Sequence, residues 1–514
     1  MRIFSFSPFG YEGSLVSVEV DLRRGIPAVD VVGLADGAVK EARERMRSAI
    51  CNAGFEFPPE RVLISLSPAD LKKEGAGFDL AIALAVLQAK KDVPCENSFS
   101  VLVMGELELC GNVRPVRAVH AAAATAKAAG IDYCIVPAEN CDEAKEIEGM
   151  HVFAASNLAE AFSALENPEV FSVDTESVRE NQDDLKNVED IDGVLFTKVT
   201  PDFEYSAVQG QQFLVRGLQI AAAGGHNLLA FGSPGCGKTM ALQKFSSLLP
   251  LLTPEEAGSV TRIYSIAGFL PPNHASIMIP PFRMPHQTAS IEGMCGGGAV
   301  CKPGEISLAH NGVLFLDEAA EFRTSVLQML RVPMESGCIT LSRAGRSTVY
   351  PAMFQLLMAT NPCPCGNFGS ESKVCLCSTH SVEQYWKRFS GPLLDRVDIR
   401  IHVDFPKSDE AETTYNLRKK IARAVKVQRE RQKKKNARLL PNEIETYCSI
   451  CPEGSRILEK AAQKYGLSPR GVSACLKLAR TIADLEGVDE ITVEAIEEAV
   501  QYRKRAGGID FCGE

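Results

Sequence analysis

Residues 232–239 read GSPGCGKT, and the apolar run HNLLAF precedes them at residues 226–231. The run MALQKFSSLL that follows favours a helix, so the glycine-rich segment is predicted to turn between a strand and a helix. Such a turn lets consecutive backbone N–H groups surround a phosphate, and the helix N-terminus adds positive charge. The stretch therefore predicts a P-loop, the nucleotide-phosphate site of an α/β fold with a parallel sheet.

Each position of this loop has a predicted part in nucleotide binding. Lys238 would reach the β- and γ-phosphates of the nucleotide, and Thr239 would supply a hydroxyl ligand to Mg²⁺. Cys236 occupies the variable position of the motif, where we expect a small buried residue. ATP and Mg²⁺ are therefore the expected cofactors. The residues expected to bind phosphate through their backbone are Gly232, Ser233, Pro234, Gly235, Cys236 and Gly237.

A second apolar run ends in acidic residues. NGVLFLDE, at residues 311–318, predicts a buried strand with Asp317 at its carboxyl end, where ligands collect in parallel sheets. We expect Asp317 to hold Mg²⁺ together with Thr239, and Glu318 to polarise the attacking water. A third run, MFQLLMAT, ends at Asn361, which is predicted either to orient the same water or simply to cap the strand.

Six segments, taken in chain order, carry a family resemblance. They are GQQFLVRGLQIAAAGGHNLLAFGSPGCGKT, PFRMPHQTAS, KPGEISLAHNGVLFLDEAAEF, MATNPCPCG, SGPLLDRVDI and ARTIADLEG. Together they resemble the magnesium-chelatase-like AAA+ ATPases of the ComM/YifB family, and the resemblance covers nearly the whole chain. It implies that Asn361 is the sensor 1 residue, that Arg396 is an arginine finger acting on a neighbour's ATP, and that Arg470 is the sensor 2 arginine of a helical lid.

The resemblance also implies an assembly and a substrate. A trans-acting arginine implies a homo-hexameric ring. The family's proposed activity implies ATP-driven movement along single-stranded or branched DNA, and the alternative is a magnesium-chelatase-like protein-remodelling ATPase without a DNA substrate. Arg343 and Arg346, at the tip of the predicted hairpin CITLSRAGRSTVYP, and Lys302 in a glycine-rich insert are the candidate DNA contacts. Taken without the family, Arg343 and Arg346 are more often merely solvated, and Arg396 and Arg470 more often form surface salt bridges.

The domains follow from composition and from the same resemblance. Residues 1–168 are expected to form a Lon-protease-like α+β domain, residues 169–200 an acidic linker, residues 201–405 the AAA+ core, and residues 406–514 a C-terminal helical lid. Gap-free comparison with the protease segments places Gly77 at the position of the nucleophilic serine and His120 at that of the lysine base. Since a serine–lysine dyad needs both groups, the first domain is predicted to be inactive as a protease.

Four cysteines follow Asn361 in the pattern C-x-C-x9-C-x-C. Cys363, Cys365, Cys375 and Cys377 have the ligand number of a closed, structural zinc site, although C-x-C is tighter than the usual C-x2-C. Zinc is the favoured interpretation, and disulfides or uncoordinated thiols are the alternatives.

The whole-chain totals limit the class of protein. The chain has 514 residues, a formal net charge of −10 and 17 cysteines scattered along its length. It lacks both a signal-peptide pattern and an apolar stretch long enough to span a membrane, so we expect a cytoplasmic protein with no membrane partner. Any nucleic-acid contact should be local. Residues 418–438 carry eleven Lys or Arg and one Glu, which favours a solvated amphipathic helix over a DNA-contacting one.

Overall fold

The computed structural model describes residues 2–34, 37–69, 73, 75–91, 99–171, 187–270, 276–298, 301–343, 346–369, 373–406 and 410–503. Within these residues the chain forms an N-terminal α/β unit, a central parallel sheet covered by helices, and a C-terminal helical region. No helix in this described part of the chain combines the length and the apolar character that crossing a membrane requires.

The N-terminal unit is built on a mixed sheet. Its strands are β1 (Arg2–Ser7), β2 (Ser14–Arg23), β3 (Val29–Val32), β4 (Arg61–Ser67), β5 (Ser100–Val103), β6 (Glu106–Leu107), β7 (Val113–Arg114), β8 (Tyr133–Pro137) and β9 (His151–Ala155). The main sheet has the order β3-β4-β2-β1-β5-β8-β9, and β6 pairs with β7 in a separate short hairpin. The helices of this unit are Gly37–Asn52, Asp79–Lys90, Val119–Ala128, Cys141–Lys145 and Leu158–Glu166.

The helix Asp79–Lys90 shows why this unit folds around its sheet. Its sequence DLAIALAVLQAK is apolar on nearly every side, and the residues from Asp79 to Leu87 are all buried. A helix of this kind must be covered all round, and here it contacts β1, β2 and two neighbouring helices.

The structure differs from the sequence expectation in the segment 169–200. Phe171 belongs to the N-terminal core, where its ring meets those of Phe99 and Tyr133. Residues Val188–Ile191 (β10) and Val194–Thr197 (β11) form a hairpin whose apolar side chains join the core of the central domain. The acidic composition concealed this hairpin, in which only Ile191, Val194 and Phe196 are buried. Residues 172–186 of the expected linker lie outside the described residues.

The central domain is an α/β structure with a parallel sheet, as the apolar runs predicted. Its strands β12 (Leu228–Gly232), β13 (Phe282–Arg283), β16 (Val313–Leu316), β19 (Gln355–Thr360) and β20 (Ile399–Val403) are all parallel, in the order β13-β16-β19-β12-β20. Strands β14 (Gly296–Gly297) and β15 (Lys302–Pro303) form one small hairpin, and β17 (Cys338–Arg343) and β18 (Arg346–Pro351) form another.

Both faces of this sheet are buried. Leu228 and Ala230 of β12 point into one core, whereas Leu229 and Phe231 point into the core on the opposite face. This alternation explains the continuous apolar runs of the sequence. The helices around the sheet are Gln212–Gly224, Lys238–Gln243, Pro254–Ala267, Ile291–Cys295, Glu305–Leu308, Thr324–Met329, Arg331–Ser336, Thr379–Lys387 and Gly391–Leu394.

The C-terminal region is helical and shares one hydrophobic core with the sheet. Its helices are Thr414–Gln432, Pro441–Tyr447, Pro452–Tyr465, Pro469–Glu486 and Val493–Gln501. Leu417, Ile421 and Val425 of the first helix lie in the same core as Ile399 and Ile401 of β20. The helical region therefore packs against one face of the sheet.

One charge of the basic helix is not solvated as the sequence suggested. Arg418 is fully buried, donates from Nε to the carbonyl of Ser247 at 2.6 Å, and approaches Glu189 at 3.3 Å. Its guanidinium lies over the ring of Phe196 at 5.0 Å. Arg418 therefore connects the C-terminal region to the β10–β11 hairpin.

Candidate nucleotide site and arginine pocket

Three chain segments meet at the carboxyl edge of the central sheet. Gly232 ends β12, Asp317 follows β16, and Asn361 follows β19, which lies between the other two strands. Because neighbouring parallel strands end at the same edge, the sheet brings together residues that are far apart in sequence. The predicted strand–loop–helix arrangement around residues 232–239 is present, since the loop passes directly into the helix Lys238–Gln243.

The loop has the backbone that a phosphate site requires. Gly235 and Gly237 have φ angles of 83° and 88°, in the left-handed region that L side chains rarely adopt. Lys238 is 7% exposed, and its Nζ donates to the carbonyls of Gly232 and Ser233 at 2.8 Å each. Burial lowers the pKa of the Lys238 ammonium, and the nearby Cys236 and Asp317 partly oppose this shift. A bound polyphosphate would compensate this buried cation.

The loop and the acidic strand end are in direct contact. Thr239 Oγ1 donates to Asp317 Oδ1 at 3.0 Å, and the backbone N–H of Glu318 donates to the same oxygen at 3.0 Å. A hydroxyl and a carboxylate at this distance are both ligands that Mg²⁺ accepts. Glu318 is exposed and has φ 48° and ψ 45°, a strained conformation for this residue type.

Gly366 lies close to both Asn361 and Pro234 of the phosphate loop. A Cβ placed on Gly366 would lie 2.7 Å from Cδ of Pro234 and 4.0 Å from Cγ of Asn361. The segment that follows Asn361 therefore packs on the outside of the phosphate loop. Only glycine fits at residue 366, whose φ is 78°.

Arg396 and Arg470 lie together in a pocket at the other end of β12. The pocket lining includes both arginines and Asn227, which directly precedes β12, and the side chain of Asn227 donates to the carbonyl of Arg396 at 3.1 Å. With a strand rise of about 3.3 Å per residue, this point is roughly 15–20 Å from the phosphate loop of the same chain. Both arginines therefore lie at the opposite end of β12 from that loop.

The sequence analysis missed the residue that joins these arginines. Glu335 accepts from Nη2 of Arg396 at Oε2 and from Nη2 of Arg470 at Oε1, both at 2.5 Å. The hydrogen bond from Arg396 contributes most to lowering the pKa of Glu335. No local pattern marks this glutamate, which belongs to the short helix Arg331–Ser336.

The four predicted cysteines converge. The sulfur atoms of Cys363, Cys365, Cys375 and Cys377 all lie within 4.8 Å of one another. Cys363 Sγ is 3.4 Å from Cys365 Sγ and 3.7 Å from Cys375 Sγ, and the last two sulfurs are 3.6 Å apart. Four thiolates bound to zinc at about 2.3 Å in a tetrahedron would have sulfurs about 3.8 Å apart. The cluster therefore fits a zinc ion.

The candidate DNA-contacting residues lie on two small hairpins. Arg343 and Arg346 are the last paired residues of the β17–β18 hairpin, and their side chains lie outside the described part of the structure. Lys302 is exposed on β15. At the side of the hairpin, Thr348 Oγ1 accepts from the backbone N–H of Tyr11, a residue of the N-terminal unit, at 3.1 Å.

The N-terminal unit contacts the central domain through the helix that carries His120. His120 is 6% exposed, and its backbone N–H donates to Glu143 Oε1 at 2.8 Å. The same carboxylate accepts from the hydroxyl of Ser265, on the helix Pro254–Ala267 of the central domain. Arg262 of that helix lies over the ring of Tyr11 at 4.7 Å and donates to its carbonyl at 3.0 Å. His120 is thus part of a domain contact.

Family models match most of the chain. The model described as "Magnesium chelatase, subunit ChlI" matches residues 204–412, "Subunit ChlI of Mg-chelatase" matches residues 18–140, and "Magnesium chelatase, subunit ChlI C-terminal" matches residues 411–503.

Individual relatives match over similar lengths. "Uncharacterized protein YifB" of Salmonella typhimurium is 39% identical over 96% of this chain and 95% of its own length. "Competence protein ComM" of Haemophilus influenzae is 38% identical over 98% of this chain and 97% of its own length. The "Magnesium-chelatase 38 kDa subunit" of Rhodobacter capsulatus is 28% identical over 32% of this chain and 52% of its own length.

Proposed function

The chain belongs to the ComM/YifB family of magnesium-chelatase-like AAA+ ATPases, and from this premise we propose that it is an ATP-hydrolysing ring motor that remodels DNA. The observation that carries the ATPase part of the proposal is the contact at 3.0 Å between Thr239 of the phosphate loop and Asp317 of the neighbouring strand end. A hydroxyl and a carboxylate held this close could both serve as ligands to one Mg²⁺ ion.

The residues at this edge have complementary roles in the proposal. Lys238 would exchange its two loop carbonyls for phosphate oxygens, and Thr239 and Asp317 would hold Mg²⁺, which neutralises charge on the phosphates. Glu318, which is exposed just after the end of the strand, would accept a proton from the attacking water. Asn361 would orient that water from the adjacent strand.

The arginine pocket supports hydrolysis between two copies of the chain. Arg396 and Arg470 lie too far from their own phosphate loop, so they would act on the triphosphate of a neighbour. When the arginines lie on one face of a copy and its own nucleotide on another, the contact between copies is heterologous. Such contacts form a ring when the rotation between copies closes. Six copies is the number that the family resemblance implies.

DNA is the proposed substrate. The β17–β18 hairpin would present Arg343 and Arg346 to a phosphate backbone, with Lys302 assisting from β15. Support comes from the relative named a competence protein, which matches along 98% of this chain. The magnesium-chelatase subunit matches only 32% of it, which makes ATPase action without DNA the weaker alternative.

The experiment that tests this substrate compares ATPase rates with and without DNA. We expect single-stranded DNA or a four-way junction to raise the rate, and we expect the double variant Arg343→Ala/Arg346→Ala to lose that stimulation but keep its basal rate. The matched control is Arg114→Ala, which removes an exposed arginine of the N-terminal unit. If neither DNA raises the rate and neither is retarded in a gel, the DNA proposal fails. The protein-remodelling ATPase without a DNA substrate then remains.

We assign the N-terminal unit a supporting role rather than proteolysis. Gly77 offers no nucleophile, and His120 is buried against Glu143 and the central domain instead of being poised as a base. Tyr11 contacts both Arg262 and Thr348, so the unit would support the side of the β17–β18 hairpin. It would act as a platform for assembly or for DNA loading.

We also propose that the four-cysteine cluster binds one structural zinc ion. Four thiolates leave no coordination position for water, so the ion would cross-link the segment 363–377 and take no part in hydrolysis. Since Gly366 of this segment packs on Pro234, zinc would also brace the phosphate loop. Metal analysis of the purified protein should find about one zinc per chain, and Cys375→Ser should lower that content. Clearly less than one zinc in the unaltered protein would contradict the assignment.

A further inference from the structure

We propose that Glu335 is a displaceable counter-ion. It holds Arg396 and Arg470 as a pair until the triphosphate bound by a second copy of the chain replaces it, and its release moves the β17–β18 hairpin. The inference rests on the proposed function, because it requires the two arginines to act on a neighbouring copy. It adds a positioning residue and a route from nucleotide binding to the DNA-contacting element.

The geometry of the three side chains resembles an anion site. Each oxygen of Glu335 accepts from a different guanidinium at 2.5 Å, so one carboxylate spans both arginines. A terminal phosphate offers three oxygens and more negative charge to the same donors, and arginine binds phosphate with charge-assisted hydrogen bonds. The carboxylate of Glu335 therefore occupies the position that the phosphate would take.

Glu335 is the most exposed member of this group. Its side chain is 54% exposed, whereas those of Arg470 and Arg396 are 45% and 13% exposed. A half-exposed carboxylate is held weakly, because water screens its ion pairs. The glutamate can leave towards solvent while the better-buried Arg396 stays in place.

The other carboxylates of the pocket have partners of their own. Asp395 accepts from the hydroxyl of Ser468 at 2.9 Å and pairs with Arg503 at 3.3 Å. Asp398 accepts from the backbone N–H of Asn227 at 3.2 Å. Among the described residues, Glu335 is the carboxylate that pairs with both Arg396 and Arg470, so its departure would free them for a phosphate.

The position of Glu335 in the chain connects this exchange to the hairpin. Glu335 lies in the helix Arg331–Ser336, and β17 begins two residues after that helix ends. Ser336 Oγ accepts from the backbone N–H of Cys338 at 3.3 Å, and Ala352, just after β18, donates to the carbonyl of Gly337 at 2.7 Å. These short links mean that a shift of the helix must tilt the hairpin.

The test uses the full-length protein and the isosteric variant Glu335→Gln. Loss of the charge should lower the ATP concentration for half-maximal hydrolysis by roughly two- to tenfold, the range expected for removing exposed ion pairs that compete with phosphate. Glu335→Asp keeps the charge but is too short to span both arginines, and it should fall in between. The matched control is Glu108→Gln, which removes a partly exposed carboxylate paired with Arg114 at 2.5 Å in the N-terminal unit, and it should match the unaltered protein.

A second measurement follows the hairpin itself. In a Glu318→Gln background, which should retain bound ATP, amide hydrogen exchange over residues 331–351 should change when ATP is added. With Glu335→Gln also present, the exchange without ATP should already resemble the ATP-bound pattern. Equal thermal unfolding midpoints for the variants would show that the changes do not come from a loss of folding.

The inference is overturned if Glu335→Gln has the same half-saturating ATP concentration as Glu108→Gln. It is also overturned if amide hydrogen exchange over residues 331–351 does not change when ATP is added. That failure is distinguishable from a failure of the proposed function. If Arg396→Ala hydrolysed ATP at the full rate, or if the rate per chain were unaffected by dilution, the trans arrangement itself would be wrong.

Discussion

Mixing an Arg396→Ala subunit with a Glu318→Gln subunit should restore hydrolysis that neither variant supports alone. The pocket that holds Arg396 lies roughly 15–20 Å from the phosphate loop of its own chain, estimated from the strand rise, so the arginine should act only across an interface. Loss of such an arginine typically costs about a thousandfold or more in rate. Loss of Glu318 should be similarly severe, because the attacking water loses its base.

The recovered rate can be worked out from the arrangement of the ring. A productive interface needs an Arg396→Ala copy on the nucleotide side and a Glu318→Gln copy on the arginine side. With random mixing in a closed ring, the fraction of such interfaces is the product of the two subunit fractions. The maximum is about a quarter of all interfaces, reached at equal amounts. If interfaces work independently, the rate should therefore rise to about a quarter of that of the unaltered protein.

The assay is steady-state phosphate release across a series of mixing ratios at constant total protein. The control mixes Arg396→Ala with the double variant Glu318→Gln/Arg396→Ala, which provides no arginine and should give no recovery. Suppose that both single variants assemble normally but their mixtures never exceed the parent rates. The assignment of Arg396 to a neighbour's site would then be refuted.

Three further predictions concern the phosphate loop, a buried arginine and pH. Lys238→Ala should lose ATP binding by about a hundredfold or more, measured with a fluorescent nucleotide, because no other cation fills its place in the loop; unchanged affinity would contradict the site. Arg418→Ala should destabilise the fold by about 3 kcal/mol, seen as a lower denaturation midpoint, since it leaves a cavity and the buried carbonyl of Ser247 without its donor. Burial lowers the pKa of both His120 and His310 to about 4. Each imidazole is then neutral in the folded protein, so its contribution to the free energy of unfolding is complete above pH 6.5. That contribution is lost as the pH falls towards 4, by about 1.4 kcal/mol for each histidine at pH 5.5. His120→Phe should flatten this loss of stability, and an unchanged pH profile would count against the buried neutral imidazole.

The local chemistry of the nucleotide site was predictable from sequence. A loop that wraps a phosphate needs glycines at fixed places, and residues 232–239 supply them between an apolar run and a helix. The contact between Thr239 and Asp317 could also be expected, although 78 positions separate them, because parallel strands place their carboxyl ends at one edge. The family comparisons confirm the resemblance that these motifs carried.

Other features depended on the tertiary structure. The sequence indicated a solvated basic helix, yet Arg418 is buried, because a hairpin from residues 188–197 supplies Glu189 and Phe196 to receive it. That hairpin was itself hidden by acidic composition.

The sequence by itself determined that this chain has a P-loop, a parallel sheet and an ATPase family, since those signals lie in short segments whose backbone geometry is local. Only the tertiary structure brought the two arginines together on one glutamate. Arg396, Arg470 and Glu335 come from three separate elements, and nothing near any of them in sequence specifies the others. Their meeting follows from how helices pack around the amino end of β12, and packing depends on the shapes of distant side chains.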